Sequence, residues 1–404
     1  MAKTIDNFTS RLKFIKFSDI LQIVPMIVGA ICAIFVRLNH RIIWLVCERK
    51  SDARDNGYWF FKYMREQHPE IETIYAIDKK SPDYKKVAPL GKVIQFGSLS
   101  HWLYYWAAKK NVSSQKEGKP NAALCFILEV YLDFRKNRAY IRHGIVKDDQ
   151  KWVYYDVTKM NLFATSSKRE QMYVKENFGY PEDAVQLTGL CRFDNLLSEH
   201  ETKRQILIMP TMREWLRVIS SDTLEYEGSY EFTDSEYFKT WNSLVHSDRL
   251  AQLLDKYNIS LLFYLHASMQ QYADKFSTGN NKIIIGHAKD YDVQQLLMES
   301  EVLITDYSSI YFDFAYMKKP LIYYQFDYEK YRRGQYQEGY FTYANDGFGE
   351  VVTTEEGLLD GLEAILRENL QMPEKYSKRA DDFFAYHDMK NCERTYQAIC
   401  NMKE

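Results

Sequence analysis

The sequence predicts an α/β protein made of two doubly wound, parallel-sheet domains and a helical tail. Three observations predict it. The chain has 404 residues, too many for one ordinary core and suited to two domains of roughly 150–200 residues each. Short β-branched runs alternate with helical stretches through both halves, as when crossover helices join parallel strands. The stretches Glu355–Glu368 and Pro373–Met402 read as helix throughout.

Taken in order, the strand-like runs of the first half are Ile42–Cys47, Thr73–Ile77, Lys92–Phe96, Ala139–Arg142, Leu162–Ser166 and Val185–Thr188, with helical patterns at Gly57–Gln67 and Lys168–Phe178. In the second half the strands are Gln205–Met209, Leu261–Leu265, Lys282–Ile285, Val302–Thr305 and Leu321–Tyr324. Helical patterns at Ser235–Tyr257, Asp292–Ser300 and Ser309–Met317 separate them. A break near Leu197–Lys203 is the expected linker. The division is then a membrane-associating apolar segment 1–40, a Rossmann-like domain 41–200, and a second Rossmann-like domain with the tail, 201–404. Two such sheets facing a cleft describe a GT-B-like fold.

Composition narrows the function. Hydrophobic residues at 46% and charged residues at 27% exclude wholesale disorder. The net charge of −2 excludes a protein held on nucleic acid by bulk charge. Six scattered cysteines form no CxxC pair and no zinc-ligand spacing, as expected of reduced thiols in the cytosol. The charge is unevenly placed. Residues 1–50 and 101–143 each carry eight basic against three acidic groups. Both stretches contain apolar runs: Ile20–Val36 in the first, His101–Ala108 and Ala122–Phe134 in the second. Apolar runs flanked by Lys and Arg fit a face lying on an anionic leaflet. A 17-residue helix is about 25 Å long, short of the roughly 30 Å hydrocarbon core. An interfacial helix, a true span and a buried core helix are the three readings. The run begins late, contains Pro25 and precedes no small-x-small site, so it does not read as a secretory leader.

Ligands of open parallel sheets bind beyond the carboxyl ends of the strands. After Val302–Thr305 come Asp306, Tyr307, Ser308 and Ser309, then a helix; Ser308 or Ser309 suits an N-cap, and the helix start suits phosphate. His266 follows Leu261–Leu265, and His143-Gly144 follows Ala139–Arg142. An imidazole beside a glycine that admits a ligand suits a general base or a phosphate contact. Arg213, after Gln205–Met209, either reaches a phosphate or pairs with an acid. The stretch Asp327–Gly347, with Arg332 and Arg333, reads as a long functional loop.

The run Thr305–Tyr324 (TDYSSIYFDFAYMKKPLIYY), then FDYEKYRRG (Phe326–Gly334) and GYFTY (Gly339–Tyr343), resembles the CDP-glycerol glycerophosphotransferase family of teichoic-acid and capsule synthesis. RHGIVK (Arg142–Lys147), TGLCRFDNL (Thr188–Leu196), MPTMRE (Met209–Glu214) and DARDNGYWFFKY (Asp52–Tyr63) add to the likeness. The chain departs from the family at His143-Gly144-Ile145-Val146-Lys147, where His-Gly-Thr-Pro-Leu-Lys is usual, and at Met212, where Trp is usual.

The resemblance implies a GT-B-like peripheral or monotopic transferase on the cytoplasmic face of the cell membrane. Its partners would be CDP-glycerol, a polyprenyl-linked or polymeric saccharide or glycerol-phosphate acceptor, and the anionic membrane surface. It implies His143 as base, His266 on the donor phosphates, and Ser308 and Ser309 around the pyrophosphate. Arg213, Arg332 and Arg333 would supply phosphate charge, while Asp306 would fix the loop or a ribose hydroxyl. No structural metal or other cofactor is implied; a loosely held Mg²⁺ on the donor stays open, with Asp148-Asp149 the nearest acidic pair, and so does a homo-oligomer. The rival readings are a CDP-ribitol transferase, a GT-B glycosyltransferase using a nucleotide sugar, a non-enzymatic assembly protein and a two-domain nucleotide-sugar epimerase.

Overall fold

Strands covered on both faces need near-continuous apolar runs, and the helices joining them must lie on those faces. The computed structural model describes residues 16–39, 42–134, 137–219, 226–228 and 232–403; the basic residues Lys3, Arg11, Lys13, Arg41, Arg135 and Lys136 lie outside them. The chain divides into two compact units. One is 1–143 with 151–195 and 388–404; the other is 144–150 with 196–387. The first unit thus takes in the end of the tail, which the sequence assigned to 201–404. The second takes in 144–150, which the sequence assigned to 41–200.

The first unit contains β1 (Ile43–Cys47), β2 (Glu72–Ile77), β3 (Lys92–Gln95), β4 (Lys110–Ser113), β5 (Arg138–Tyr140), β6 (Leu162–Thr165) and β7 (Val185–Leu187). They form one parallel sheet in the order β3-β2-β1-β4-β5-β6-β7. Alternate residues serve opposite faces. Val46 and Ile77 pack with Phe60 and Phe61 of helix Asn56–Gln67, whereas Leu45 and Ala76 pack with Trp102 and Tyr105 of helix Leu99–Ala107.

The second unit contains β8 (Lys203–Met209), β9 (Arg217–Ile219), β10 (Tyr226–Gly228), β11 (Ser260–Tyr264), β12 (Ile283–Gly286), β13 (Ser300–Thr305), β14 (Leu321–Tyr324) and β15 (Glu350–Val352). Its parallel sheet runs β12-β11-β8-β13-β14-β15, with β9 and β10 a separate antiparallel pair. Ile206, Phe263 and Ile304 pack there against Trp241 and Leu362. In both units the first strand is central and the chain winds outward first one way, then the other. The order reverses between β1 and β4 and between β8 and β13, the points where such sheets open a crevice for ligands.

Several expected elements differ. Ser235–Tyr257 is two helices, Glu236–Val245 and Asp248–Lys256, because Ser247 starts a new one by accepting from Leu250 N. The stretch 327–347 is not one long loop; it holds helices Tyr328–Gly334 and Tyr343–Asp346. Pro373–Met402 breaks into Glu374–Phe383 and Asn391–Cys400. The start of that last helix is fixed by Asp194, whose carboxylate accepts from Asn391 N at 2.8 Å, Asn391 Nδ2 at 2.7 Å and Cys392 N at 2.8 Å.

The apolar N-terminal run forms helices Phe17–Leu21 and Ile23–Leu38. Pro25 falls in the first turn of the second, where its missing N–H breaks no helical bond. Only Gly29 and Ala33 of Ile23–Leu38 are buried. A Cβ on Gly29 would lie 2.8 Å from Trp102 Cβ, so the glycine is what lets this helix touch Leu99–Ala107. The indoles of Trp102 and Trp106 donate to Gln22 Oε1 (2.7 Å) and Met26 O (3.0 Å). The outer face, with Val24, Ile27, Ile31, Ile34 and Phe35, is exposed. The core-helix reading therefore fails. Among the described residues Phe17–Leu38 is the one helix long and apolar enough to cross a membrane.

Removing the Asp194 carboxylate leaves three N–H donors without their acceptor. Asp194→Ala is expected to lower unfolding stability by about 2 kcal/mol. Urea denaturation checks this; an unchanged midpoint would show that the last helix is held by its apolar face alone.

Candidate functional site

In the second unit the loops leaving β8 and β13 diverge at the switch point, and a buried carboxylate holds them together. Asp306, the first residue after β13, accepts from Thr211 N (2.8 Å), Tyr307 N (2.6 Å) and Arg213 Nη2 (2.8 Å). Arg213 also grips Asp327 with two donors, Nε at 2.7 Å and Nη2 at 3.0 Å, and gives Nη1 to Thr211 O at 2.6 Å. Arg213 and Asp306 are fully buried. The rings of Tyr237, Tyr307 and Tyr331 lie 5.0–5.4 Å from the guanidinium. Burial works against the charge, but the two carboxylates hold the guanidinium's proton more firmly than usual. Of the two readings of Arg213, the acid-pairing one describes its contacts. Asp306 fixes the loop. Asp327 was not singled out from the sequence; its one signal is an acid soon after a strand end.

Ser308 and Ser309 follow on this anchored loop and are half-exposed. Ser309 is at the N-cap position of the seven-residue helix Ile310–Tyr316, but its side chain makes no capping bond. The expected capping role is therefore not made, and the hydroxyl is not tied to the helix. A Cβ on Gly144 would come 3.2 Å from Ser309 Oγ, so the segment 144–150 runs past the helix start at close range. In that segment Lys147 Nζ pairs with Asp148. Asp148 also accepts from Arg332 Nη1 at 2.6 Å and forms an isolated antiparallel bridge with Glu338. Burial would raise the proton affinity of Asp148, yet Lys147 and Arg332 hold it below the usual carboxylate range. Arg332 keeps two buried nitrogens, Nε and Nη2, without a hydrogen-bond partner. Arg333 is exposed and donates Nε to Glu329 O at 3.2 Å.

His266 follows β11 by two residues and is exposed. Its Nδ1 lies 3.2 Å from Ser268 N and 2.9 Å from Ser268 Oγ, which orients the ring at the start of the 3₁₀ turn Ala267–Lys275. Among the described residues no group of three or more His, Cys, Asp and Glu side chains could hold a metal ion.

In the first unit His143 stands three residues beyond the end of β5. Its ring stacks on Trp152 with centroids 5.8 Å apart, and Tyr140 OH lies 3.5 Å from its Nδ1. Burial and the cations of Arg142, Arg49 and Arg192 push its proton affinity well below the ordinary imidazole value. The shift favours the neutral ring, the state a general base requires.

The chain matches the model of the family described as CDP-Glycerol:Poly(glycerophosphate) glycerophosphotransferase over residues 30–401. It is 32% identical over 375 residues to the minor teichoic acid biosynthesis protein GgaB of Bacillus subtilis (strain 168), covering 91% of this chain and 41% of that protein. It is 24% identical over 372 residues to the teichoic acid poly(glycerol phosphate) polymerase of the same organism, covering 84% of this chain and 46% of the polymerase. The chain thus spans less than half the length of these two relatives. A solved structure of the wall teichoic acid polymerase TagF superposes with a TM-score of 0.65 at 17% identity, covering 99% of both chains. That likeness shows a shared, GT-B-like fold.

Breaking a fully buried ion pair strands an uncompensated charge, at a cost of about 3–5 kcal/mol. Arg213→Met is therefore expected to act on folding before it acts on substrate. Chemical denaturation checks this; a variant of native stability with weakened donor binding would return Arg213 to the phosphate-contact reading.

Proposed function

The chain belongs to the CDP-glycerol:poly(glycerophosphate) glycerophosphotransferase family, and on that footing we propose that it transfers glycerol phosphate from CDP-glycerol to an acceptor hydroxyl and releases CMP. The acceptor oxygen attacks the phosphorus that bears glycerol. The bond from that phosphorus to the bridging oxygen breaks, and the acceptor's proton passes to a base. The protein has little covalent work to do in such a step. It must position the groups, supply donors for the phosphoryl oxygens and assist the leaving phosphate.

The observation that carries the reading is the start of helix Ile310–Tyr316 at the switch point, where Ser308 and a Ser309 hydroxyl not engaged in capping follow a loop anchored by Asp306. N–H groups and hydroxyls there suit the diphosphate of the donor. His266 serves the donor phosphates, with Nδ1 already oriented by Ser268. Arg332, whose Nε and Nη2 have no hydrogen-bond partner although Nη2 lies 3.7 Å from a Glu338 carboxylate oxygen, is a better phosphate donor than Arg213; exposed Arg333 is the weaker one. His143 is the base, supported by its neutral state. The acceptor is a polyprenyl-linked or polymeric chain ending in a hydroxyl, and the exposed face of Ile23–Leu38 lies on an anionic leaflet at the cytoplasmic side of the membrane, where that acceptor ends.

The first test joins donor choice and the two histidines in one transfer assay. The protein is incubated in turn with radiolabelled CDP-glycerol, CDP-ribitol and UDP-sugars plus lipid extract, and label is expected to move from CDP-glycerol. Transfer from a UDP-sugar alone would replace the reading with a glycosyltransferase. His143→Ala and His266→Ala are each expected to slow transfer by about 10²-fold or more; near-normal rates in both would remove the site assignment.

The second test is the pH profile. Because the folded-state proton affinity of His143 is lowered, the neutral base persists as the pH falls through the ordinary imidazole value near 6.5. The acidic limb of kcat/KM is expected below that value, and a limb above it would contradict the base assignment. The third test concerns the membrane. Ile27→Glu with Ile31→Glu is expected to abolish sedimentation with vesicles containing anionic lipid while CDP-glycerol binding persists; undiminished sedimentation would move the contact elsewhere.

A further inference from the structure

Two motifs of the sequence, Asp52–Tyr63 and Thr188–Leu196, have no part in the chemistry described so far. Both lie in the first unit, and both converge on the backbone that carries His143. Helix Asn56–Gln67 begins beneath that turn. Its first residue, Asn56, is fully buried. Asn56 Nδ2 donates to Arg142 O at 2.7 Å, and Asn56 Oδ1 accepts from Arg192 N at 2.9 Å. The N-cap residue Asp55 accepts from Asn56 N at 2.7 Å and from Arg192 Nη1 at 3.0 Å. Arg192 Nη1 in turn donates to His143 O at 3.0 Å. Two successive carbonyls, those of Arg142 and His143, are therefore each held by a side chain, and one buried amide joins the two holders.

The clamped backbone needs holding. Arg142 has φ +63°, in the left-handed region that is unfavourable for a residue with a side chain. Such a conformation persists only where its surroundings over-determine it. Relaxing Arg142 to a right-handed or extended φ would rotate its carbonyl away from Asn56 and swing the following residue, the imidazole of His143, out of its present direction. The side chain of Arg142 adds a third restraint, donating from Nη1 to Tyr140 OH at 2.9 Å, the same hydroxyl that lies beside His143 Nδ1.

The geometry points to Asn56 and Arg192 as positioning residues for His143: they fix the left-handed turn that aims the imidazole, with Asp55 orienting Arg192. This rests on the reading of His143 as the base. Neither residue touches a reacting atom in this assignment. Their effect is therefore expected in kcat, with donor affinity unaltered, and only while the imidazole is present. Arg192 also bears on the ring electrostatically, as one of three cations that disfavour its protonation; Asp55 pairs with it, and Arg49 and Arg142 are the other two.

The test is a double-mutant cycle on the full chain, using radiolabelled CDP-glycerol with lipid extract, with equilibrium dialysis for donor binding. Asn56→Ala and Arg192→Gln are each expected to lower kcat at least tenfold with less than twofold change in CDP-glycerol affinity. In the His143→Ala background the same substitutions are expected to change the residual rate less than twofold, because residues that act through one group are not additive. Arg192→Lys keeps a cation but lacks the planar guanidinium whose Nη1 bridges Asp55 and the His143 carbonyl, and is expected to behave as Arg192→Gln does. If Asn56→Ala does not fold, the two Arg192 variants carry the test. Folded variants with wild-type kcat, or full multiplicative losses in the His143→Ala background, overturn the proposal. Wild-type transfer by His143→Ala alone would instead overturn the base assignment, so the two failures are distinguishable.

Discussion

The architecture of the second unit depends on one guanidinium set between two carboxylates in a dry site. Arg213 comes from the loop after β8, Asp306 from the loop after β13 and Asp327 from the segment after β14. These three strands are neighbours, and the loops leaving two of them must part at the switch point. Nothing in a parallel sheet holds diverging loops at a set separation; the buried triad does. Removing charge from water is costly and is offset only by short, well-aligned hydrogen bonds. Arg213 has four of them here, and Tyr307 OH adds a bond to Asp327 at 3.1 Å. Ser308 and Ser309 come next in the chain after Asp306 and Tyr307, so the same triad sets where their hydroxyls stand.

The first unit also carries a buried acid at its switch point, but there the acid ties one loop to the helix that follows it. Glu48 directly follows β1, is buried, and accepts backbone N–H bonds from Arg54 (3.0 Å), Asp55 (3.1 Å) and Tyr58 (2.8 Å). Burial and the neighbouring Asp55 carboxylate push its proton affinity up to about 8, against the lowering effect of those N–H groups. Gly57 is required beside it, since a Cβ there would lie 2.7 Å from Glu48 Cγ. The acid draws the start of helix Asn56–Gln67 onto the end of β1, and that helix start carries Asp55 and Asn56. A buried acid at a switch point thus sits behind each half of the candidate chemistry. In one unit it fixes hydroxyls, in the other the clamp on a histidine turn.

Strands that bury both faces were legible because β-branched and aliphatic runs have few other uses. β4 was not, because its sequence is Lys-Asn-Val-Ser. Two of its polar side chains donate to groups outside the strand: Lys110 Nζ to Met402 O, and Asn111 Nδ2 to Tyr105 O and Asn137 Oδ1. No local pattern announces a partner 292 residues away. The edge strand β15, Glu-Val-Val, was also missed. At the site, residues read from their place at a strand end, such as His143, His266 and Ser308, were accessible to sequence reasoning. The role of Arg213 was not, because choosing between phosphate and acid needs Asp306 and Asp327, which lie 93 and 114 residues away. Asn56 and Arg192 escaped notice for the same reason: each acts on a backbone carbonyl, and a carbonyl leaves no mark in a sequence.

The N-terminal helix shows how docking geometry narrows what composition leaves open. Its apolar content suits a span or an in-plane helix equally. Its attachments, though, are spread along most of its length: Gln22 and Met26 take the two indole N–H groups, Gly29 and Ala33 form the buried stripe, and Arg37 donates to the Trp106 carbonyl. A transbilayer helix would have to leave helix Leu99–Ala107, strip those bonds and expose the Trp102 face. An in-plane helix keeps every one of them and offers the leaflet only the side that is already exposed. The small residues at Gly29 and Ala33 are the buried positions of the helix, and at Gly29 the missing side chain is what makes the close approach to Trp102 sterically feasible.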